Sequence, residues 1–78
     1  GSNYLIRPGS NCVLANLIIS GAKQTTLTHL VSIRERRISN VRLIGCVMEN
    51  AYRRGANGAD CLLIGENVDG IYVVGCTL

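Results

Sequence analysis

Several features that mark other protein classes are scarce in this chain of 78 residues. It has no Phe, no Trp and only three Tyr, and no apolar run approaches the roughly 20 residues that a transmembrane helix requires. Charged residues make up 17% of the chain against 47% apolar residues, which argues against a disordered chain. What remains is one small globular domain, close to the lower size limit for a core that stands alone.

The sequence also offers little for metal or nucleic-acid binding. Its four cysteines are Cys12, Cys46, Cys61 and Cys76. They form no CxxC pair and no cluster with the single His, so we expect no metal site and no cofactor. Each lies in an apolar stretch, where a thiol behaves as a small buried hydrophobe. Seven Arg and one Lys give a net charge of +3, but without aromatic platforms beside them we expect no nucleic-acid partner.

The first residues of the sequence do not look like a natural start, so we expect the natural start, with any targeting segment, to be missing. Gly1 and Ser2 have the character of a cloning remnant, and no signal peptide is visible. We therefore expect residues 1–78 to form a single segment of a longer chain, with no membrane insertion.

The informative feature is a nine-residue repeat. Its three copies are residues 14–22, 38–46 and 68–76. They share the pattern apolar-x-(Asn/Gly)-apolar-x-apolar-x-Gly-(Ala/Cys), and a weaker repeat aligns residues 29–35 with 60–66. Alternate positions are apolar, which is the period-two pattern of a β-strand. Each period therefore predicts two short strands separated by turns.

Stacked repeats bury an apolar row that one repeat cannot bury alone. The predicted fold class is accordingly all-β: a right-handed parallel β-helix, a single-stranded solenoid of about three coils. Its predicted interior ladders are Leu14–Ile38–Val68, Leu17–Val41–Ile71, Ile19–Leu43–Val73, Tyr4–Val31–Leu62 and Ile6–Ile33–Ile64. Two further columns are predicted at the corners, and these are Gly21–Gly45–Gly75 and Asn16–Asn40–Gly70.

Residues 38–50 (ISNVRLIGCVMEN) and 66–78 (ENVDGIYVVGCTL) resemble the coils of right-handed parallel β-helix proteins. That superfamily includes pectin-degrading enzymes, polysaccharide lyases and bacteriophage tailspikes. A leucine-rich repeat has similar spacing, but it would require a helix or a regular convex segment where the Gly- and Asn-rich residues 49–60 oppose one.

The resemblance implies a function as well as a fold. The preference for Arg and the free thiols look more like a virion protein, assembled in the cytoplasm, than a secreted pectinase. The expected function is then a structural and host-recognition segment of a phage tailspike or tail fibre, a homotrimer that binds a cell-surface polysaccharide. The alternative is a fragment of a secreted β-helical polysaccharide lyase or glycoside hydrolase.

Catalytic candidates are few. Glu35 and Glu66 occupy equivalent repeat positions and could lie about 5 Å apart, which is the carboxylate spacing of retaining glycosidases. The alternative is an exposed turn in which these glutamates pair with neighbouring arginines. His29 aligns with Asp60 and could form an acid/base pair or serve a structural role.

Candidate binding residues fall into three groups. A polar loop that could contact a sugar contains Tyr52, Arg53, Arg54 and Asn57. A second sugar contact is predicted for Arg42 and Tyr72, on one outward column. An apolar outward stripe that could contact a partner subunit contains Ile18, Ile44, Val74 and Tyr72; scattered surface aliphatics are the alternative.

Overall fold

A computed structural model describes residues 3–34, 36–54 and 57–78, and all regular secondary structure in these ranges is β-strand. The strands are β1 (Asn3–Ile6), β2 (Cys12–Ala15), β3 (Ile18–Ser20), β4 (Thr28–Ile33), β5 (Ile38–Ile44), β6 (Val47–Glu49), β7 (Arg53–Arg54), β8 (Asn57–Gly58), β9 (Leu62–Ile64) and β10 (Val68–Val74). The all-β part of the prediction is therefore correct. The described residues contain no helix long and apolar enough to cross a membrane.

Eight of these strands form three parallel sheets, which we name A, B and C. Sheet A has the order β1-β4-β9, sheet B the order β10-β5-β2, and sheet C the order β3-β6. The hairpin of β7 and β8 is antiparallel. Since β4 and β5 lie between two neighbours, they form the interior of their sheets, whereas the other strands of sheets A and B lie at edges.

The predicted right-handed β-helix is wrong. The described strands form separate small sheets of two or three strands rather than a single-stranded solenoid of about three coils. Sheet C has only two strands, and the β7–β8 hairpin interrupts the chain before β9. The radius of gyration of 12.1 Å is close to the value of about 11.5 Å expected for a compact globule of this length.

The proposed ladders hold in part. In sheet A, Val31 pairs with Leu62 and Ile33 with Ile64 as predicted, but the β1 members are wrong, because Tyr4 pairs with His29 and Ile6 with Val31.

In sheet B, the ladders hold between the second and third copies of the nine-residue repeat. Val41 pairs with Ile71, and Leu43 pairs with Val73, in parallel register. Both copies end in Gly-Cys, so their sequence alignment matches the register in which their strands pair.

The first copy of the repeat, residues 14–22, does not pair in the predicted register. The chain leaves sheet B at Asn16, whose φ is 56° and whose amide donates to the Ile44 carbonyl at 2.8 Å. Asn16 thus takes the place next to Gly45, and Gly21 lies five residues further on, beside Asn50. The predicted places of Gly21 beside Gly45 and of Asn16 beside Asn40 are therefore wrong, whereas Gly45 and Gly75 are neighbours as predicted, and so are Asn40 and Gly70.

The buried core comes mainly from the middle strands. Its residues are Ile19, Leu30, Val31, Ile33, Ile38, Val41, Leu43, Cys46 and Met48. Six of these nine residues lie on β4 and β5, because a neighbouring strand on each side removes their side chains from water. All four cysteines are free, and the Cys46 thiol donates to the Leu14 carbonyl at 3.3 Å.

Candidate functional site

A cleft of about 280 Å³ lies beside the β7–β8 hairpin. Its lining residues are Thr25, Thr26, Leu27, Tyr52 and Arg54, and we call it the hairpin cleft. One wall is the loop that leads into β4, and the other is the segment that enters the hairpin. The cleft therefore joins parts of the chain about 27 residues apart, counted from Thr25 to Tyr52.

The hairpin register separates its two arginines. Arg53 pairs with Gly58 and Arg54 with Asn57, and successive side chains of a strand point to opposite faces. Arg54 accordingly lines the cleft. The Arg53 guanidinium instead covers Gly58, where an added Cβ would lie 3.4 Å from its Cζ. Of the two arginines predicted as one contact, only Arg54 lines the cleft.

Hydrogen bonds fix both walls of the hairpin cleft. The Ala59 amide donates to the Tyr52 carbonyl at 2.8 Å, closing the base of the hairpin. On the other wall, the Thr28 hydroxyl donates to the Thr26 carbonyl at 3.2 Å and lies 3.3 Å from the Thr26 hydroxyl. Tyr52 is half-buried and Arg54 is exposed. The residues that line the cleft thus include one tyrosine, one arginine and two threonines.

Arg42 and Tyr72 form a separate pair on the outer side of sheet B. They are in register, and the Arg42 Cζ lies 5.3 Å from the centre of the Tyr72 ring, a cation–π contact. Neither residue lines the hairpin cleft. The predicted sugar-binding residues therefore do not form one site, and one face of the Tyr72 ring is already covered by the guanidinium.

The catalytic candidates have only one described member. Glu66 lines a shallow depression together with Arg34 and Arg36, whereas Glu35 lies outside the described residues, as does the side chain of Asn57. The predicted carboxylate pair is therefore not tested. Within the described ranges, no three His, Cys, Asp or Glu side chains come close enough to hold a metal ion.

His29 and Asp60 are adjacent, as their alignment predicts. The Asp60 amide donates to His29 Nδ1 at 2.9 Å, and Asp60 Oδ2 lies 3.9 Å from the same nitrogen. The imidazole thereby anchors the turn before β9, which favours the structural role over the acid/base pair.

The predicted interface residues are all exposed but lie in two sheets. Ile44 pairs with Val74 in sheet B, and Tyr72 lies on the same strand as Val74. Ile18 belongs to sheet C, where it pairs with Val47. The residue that lies next to Ile44 from the first copy is Ala15.

Sequence reasoning missed the threonine wall of the hairpin cleft. Residues 23–27 (KQTTL) contain hydroxyl side chains next to a predicted strand, but no local signal connects them with Tyr52. Only the packing of the loop before β4 against the hairpin brings the two walls together.

Comparison with known proteins does not identify the chain. No protein-family model matches it, and neither a curated protein nor a solved structure is significantly similar to it.

Proposed function

We propose that this chain is a non-catalytic carbohydrate-binding module whose ligand site is the hairpin cleft. The observation that carries the proposal is that Tyr52, Arg54, Thr25 and Thr26 line one cleft. An aromatic ring can pack against the apolar face of a sugar, while a guanidinium and hydroxyls bond its polar edge.

The size of the cleft supports a small ligand unit. At about 280 Å³ it is near the lower end of small-molecule sites, which span roughly 300–1,000 Å³. This volume suits a single sugar unit of a polysaccharide better than a long segment of it. The cationic Arg54 side chain favours an acidic unit, such as a uronic acid, because a guanidinium binds a carboxylate through two parallel hydrogen bonds.

The viral function, the location in the virion and the trimeric state stay predictions. A phage tailspike or tail fibre in the virion, assembled as a homotrimer, was expected from the resemblance to β-helix proteins, and the three separate sheets remove the fold on which that resemblance depended. The alternative, a polysaccharide lyase or glycoside hydrolase fragment, depends on the carboxylate pair that includes Glu35. Carbohydrate binding is the part of the expected function that a described cleft supports.

The test is glycan binding by matched variants. The chain and its Arg54→Ala and Arg53→Ala variants are screened on an array of neutral and acidic polysaccharides, and the strongest hit is titrated by calorimetry. We expect Arg54→Ala to weaken binding by about tenfold or more, as loss of a charged hydrogen bond would. Arg53→Ala is the control, since its guanidinium covers Gly58.

Three outcomes would contradict the proposal. These are no binding to any glycan, an unchanged affinity of Arg54→Ala, and equal losses in the two variants. A loss confined to a Tyr72→Ala variant would place the sugar on the outer side of sheet B instead.

A further inference from the structure

Among the residues that the structure describes, the strands at the two ends of the sheets have one edge without a partner strand. At one end lie β1, β2 and β3, which we call the front edge; at the other lie β9 and β10, the rear edge. All pairs in sheets A, B and C are parallel, so the two edges face in opposite directions with the same strand polarity. An uncovered edge of this kind is a template for pairing with another chain.

Apolar side chains become exposed at the rear edge. Leu43 of the middle strand is fully buried, whereas Val73, its partner on β10, is 40% exposed. In sheet A, Ile33 is fully buried and its partner Ile64 is 46% exposed. These side chains continue the buried rows of the core, and one more strand layer would cover them.

Two hydrogen bonds show how that next layer would attach. The Asn16 amide donates to the Ile44 carbonyl at 2.8 Å, and the Gly45 amide donates to the Val74 carbonyl at 2.9 Å. The same bond thus repeats from β2 to β5 and from β5 to β10. Gly75, with φ 63° against 62° for Gly45, has the backbone conformation needed to repeat it once more.

We propose that the rear edge of one copy binds the front edge of a second copy, so that the chain assembles head to tail. In register with the internal layers, the Gly75 amide of one copy donates to the Ala15 carbonyl of the next. Val73 then packs against Leu14 of the second copy, as Leu43 does within the chain. This interface adds parallel strands to two sheets at once.

Charge supports a second copy as the occupant. Residues 3–27, which contain the front-edge strands and the segments that join them, include Arg7 and Lys23 and no carboxylate side chain. Residues 57–78, which contain the rear-edge strands and their connecting segments, include Asp60, Glu66 and Asp69 and no Lys or Arg. The basic front edge and the acidic rear edge are therefore complementary, which speeds encounter and makes it sensitive to salt.

A head-to-tail contact joins two different surfaces, so it leaves a free edge at each end and can continue to a filament. The proposal concerns the strand edges and does not depend on the hairpin cleft. Loss of glycan binding and loss of assembly are thus separate results.

Sedimentation velocity over a wide range of concentrations tests the assembly. We expect the mean mass of the chain to rise without a fixed limit as concentration rises, and to fall at high salt. Val73→Lys should raise the concentration needed for assembly by about tenfold or more, because a charge would be buried between copies. Ile44→Lys is the matched control: Ile44 is also 40% exposed, but it lies on the outer side of sheet B.

Mixing two variants distinguishes the head-to-tail contact from a two-fold symmetric dimer. Val73→Lys disables the rear edge and Leu14→Lys disables the front edge, so neither variant should elongate alone. Mixed in equal amounts they should form a dimer of defined mass, through the two edges that remain intact. A wild-type chain that stays monomeric, or assembly lost in Ile44→Lys and kept in Val73→Lys, would overturn the proposal.

Hydrogen exchange of backbone amides tests the head-to-tail contact in the wild-type chain alone. The Gly75 amide should become protected from exchange as the concentration of the wild-type chain rises, whereas the Gly45 amide, bonded within the chain, should be protected at all concentrations. Concentration-independent exchange at Gly75 would also overturn the proposal, even if a lysine variant failed to fold.

Discussion

The Asn40 side-chain amide donates to Asn11 Oδ1 at 3.0 Å, and both residues have a left-handed backbone, with φ of 60° and 58°. Gly70 follows in the same column with φ 63°, and a Cβ there would lie 3.2 Å from the Asn40 nitrogen. The corner before the buried part of sheet B is thus built from residues that tolerate positive φ. The two asparagines add a hydrogen bond between neighbouring strand layers.

Replacement of Asn40 separates the backbone contribution from the side-chain contribution. Asn40→Gly removes the hydrogen bond but keeps the left-handed conformation accessible, and we expect a loss of about 1 kcal/mol in the free energy of unfolding. Asn40→Ala also places an alanine at positive φ, which costs about 1–2 kcal/mol more. Urea unfolding of the two variants measures the difference, and equal losses would show that the left-handed backbone is not retained.

Three glycines allow a second graded comparison. Gly45→Ala combines positive φ with a Cβ only 2.7 Å from Asn16 Oδ1. Gly75→Ala has the same positive φ, but its nearest contact would lie at 4.0 Å, and Gly9→Ala has neither feature. We expect the loss of unfolding free energy to be largest for Gly45→Ala, about 1–2 kcal/mol for Gly75→Ala and near zero for Gly9→Ala.

Thermal unfolding followed by circular dichroism orders the three glycine variants. All three are compared at a low protein concentration, so that any self-association at Gly75 does not contribute. A Gly75→Ala variant as stable as Gly9→Ala would contradict the left-handed conformation on which the hydrogen-bond register depends.

Asn16, Gly21 and Gly45 also explain why the repeat predicts the wrong register for its first copy. Gly21 and Gly45 look equivalent because each follows an apolar strand and precedes a small residue. The chain, however, turns at Asn16, since Asn adopts positive φ almost as a glycine does. Gly21 serves a different purpose: a Cβ there would lie 2.6 Å from the Asn50 carbonyl oxygen. Sequence alone does not distinguish a glycine kept for its φ from one kept for close approach.

The candidate site was predictable only in part, for a related reason. Tyr52 and Arg54 stood out as a polar loop, but which arginine lines the cleft depends on the pairing of Arg53 with Gly58. A shift of one residue would exchange the two side chains between faces of the hairpin. The contribution of Thr25 and Thr26 depends on tertiary packing, which no spacing rule in the sequence encodes.

Ile33 and Ile64 provide the sharpest test of the sheet order. They are partners in sheet A and have the same side chain, but Ile33 is fully buried whereas Ile64 is 46% exposed. Because truncation of a buried Ile to Ala costs about 2–5 kcal/mol, Ile33→Ala should remove most of the stability of so small a domain. Ile64→Ala should cost about half as much or less, since part of its side chain already contacts water. Urea unfolding at low protein concentration measures both, and comparable losses would place β9 inside a sheet rather than at its edge.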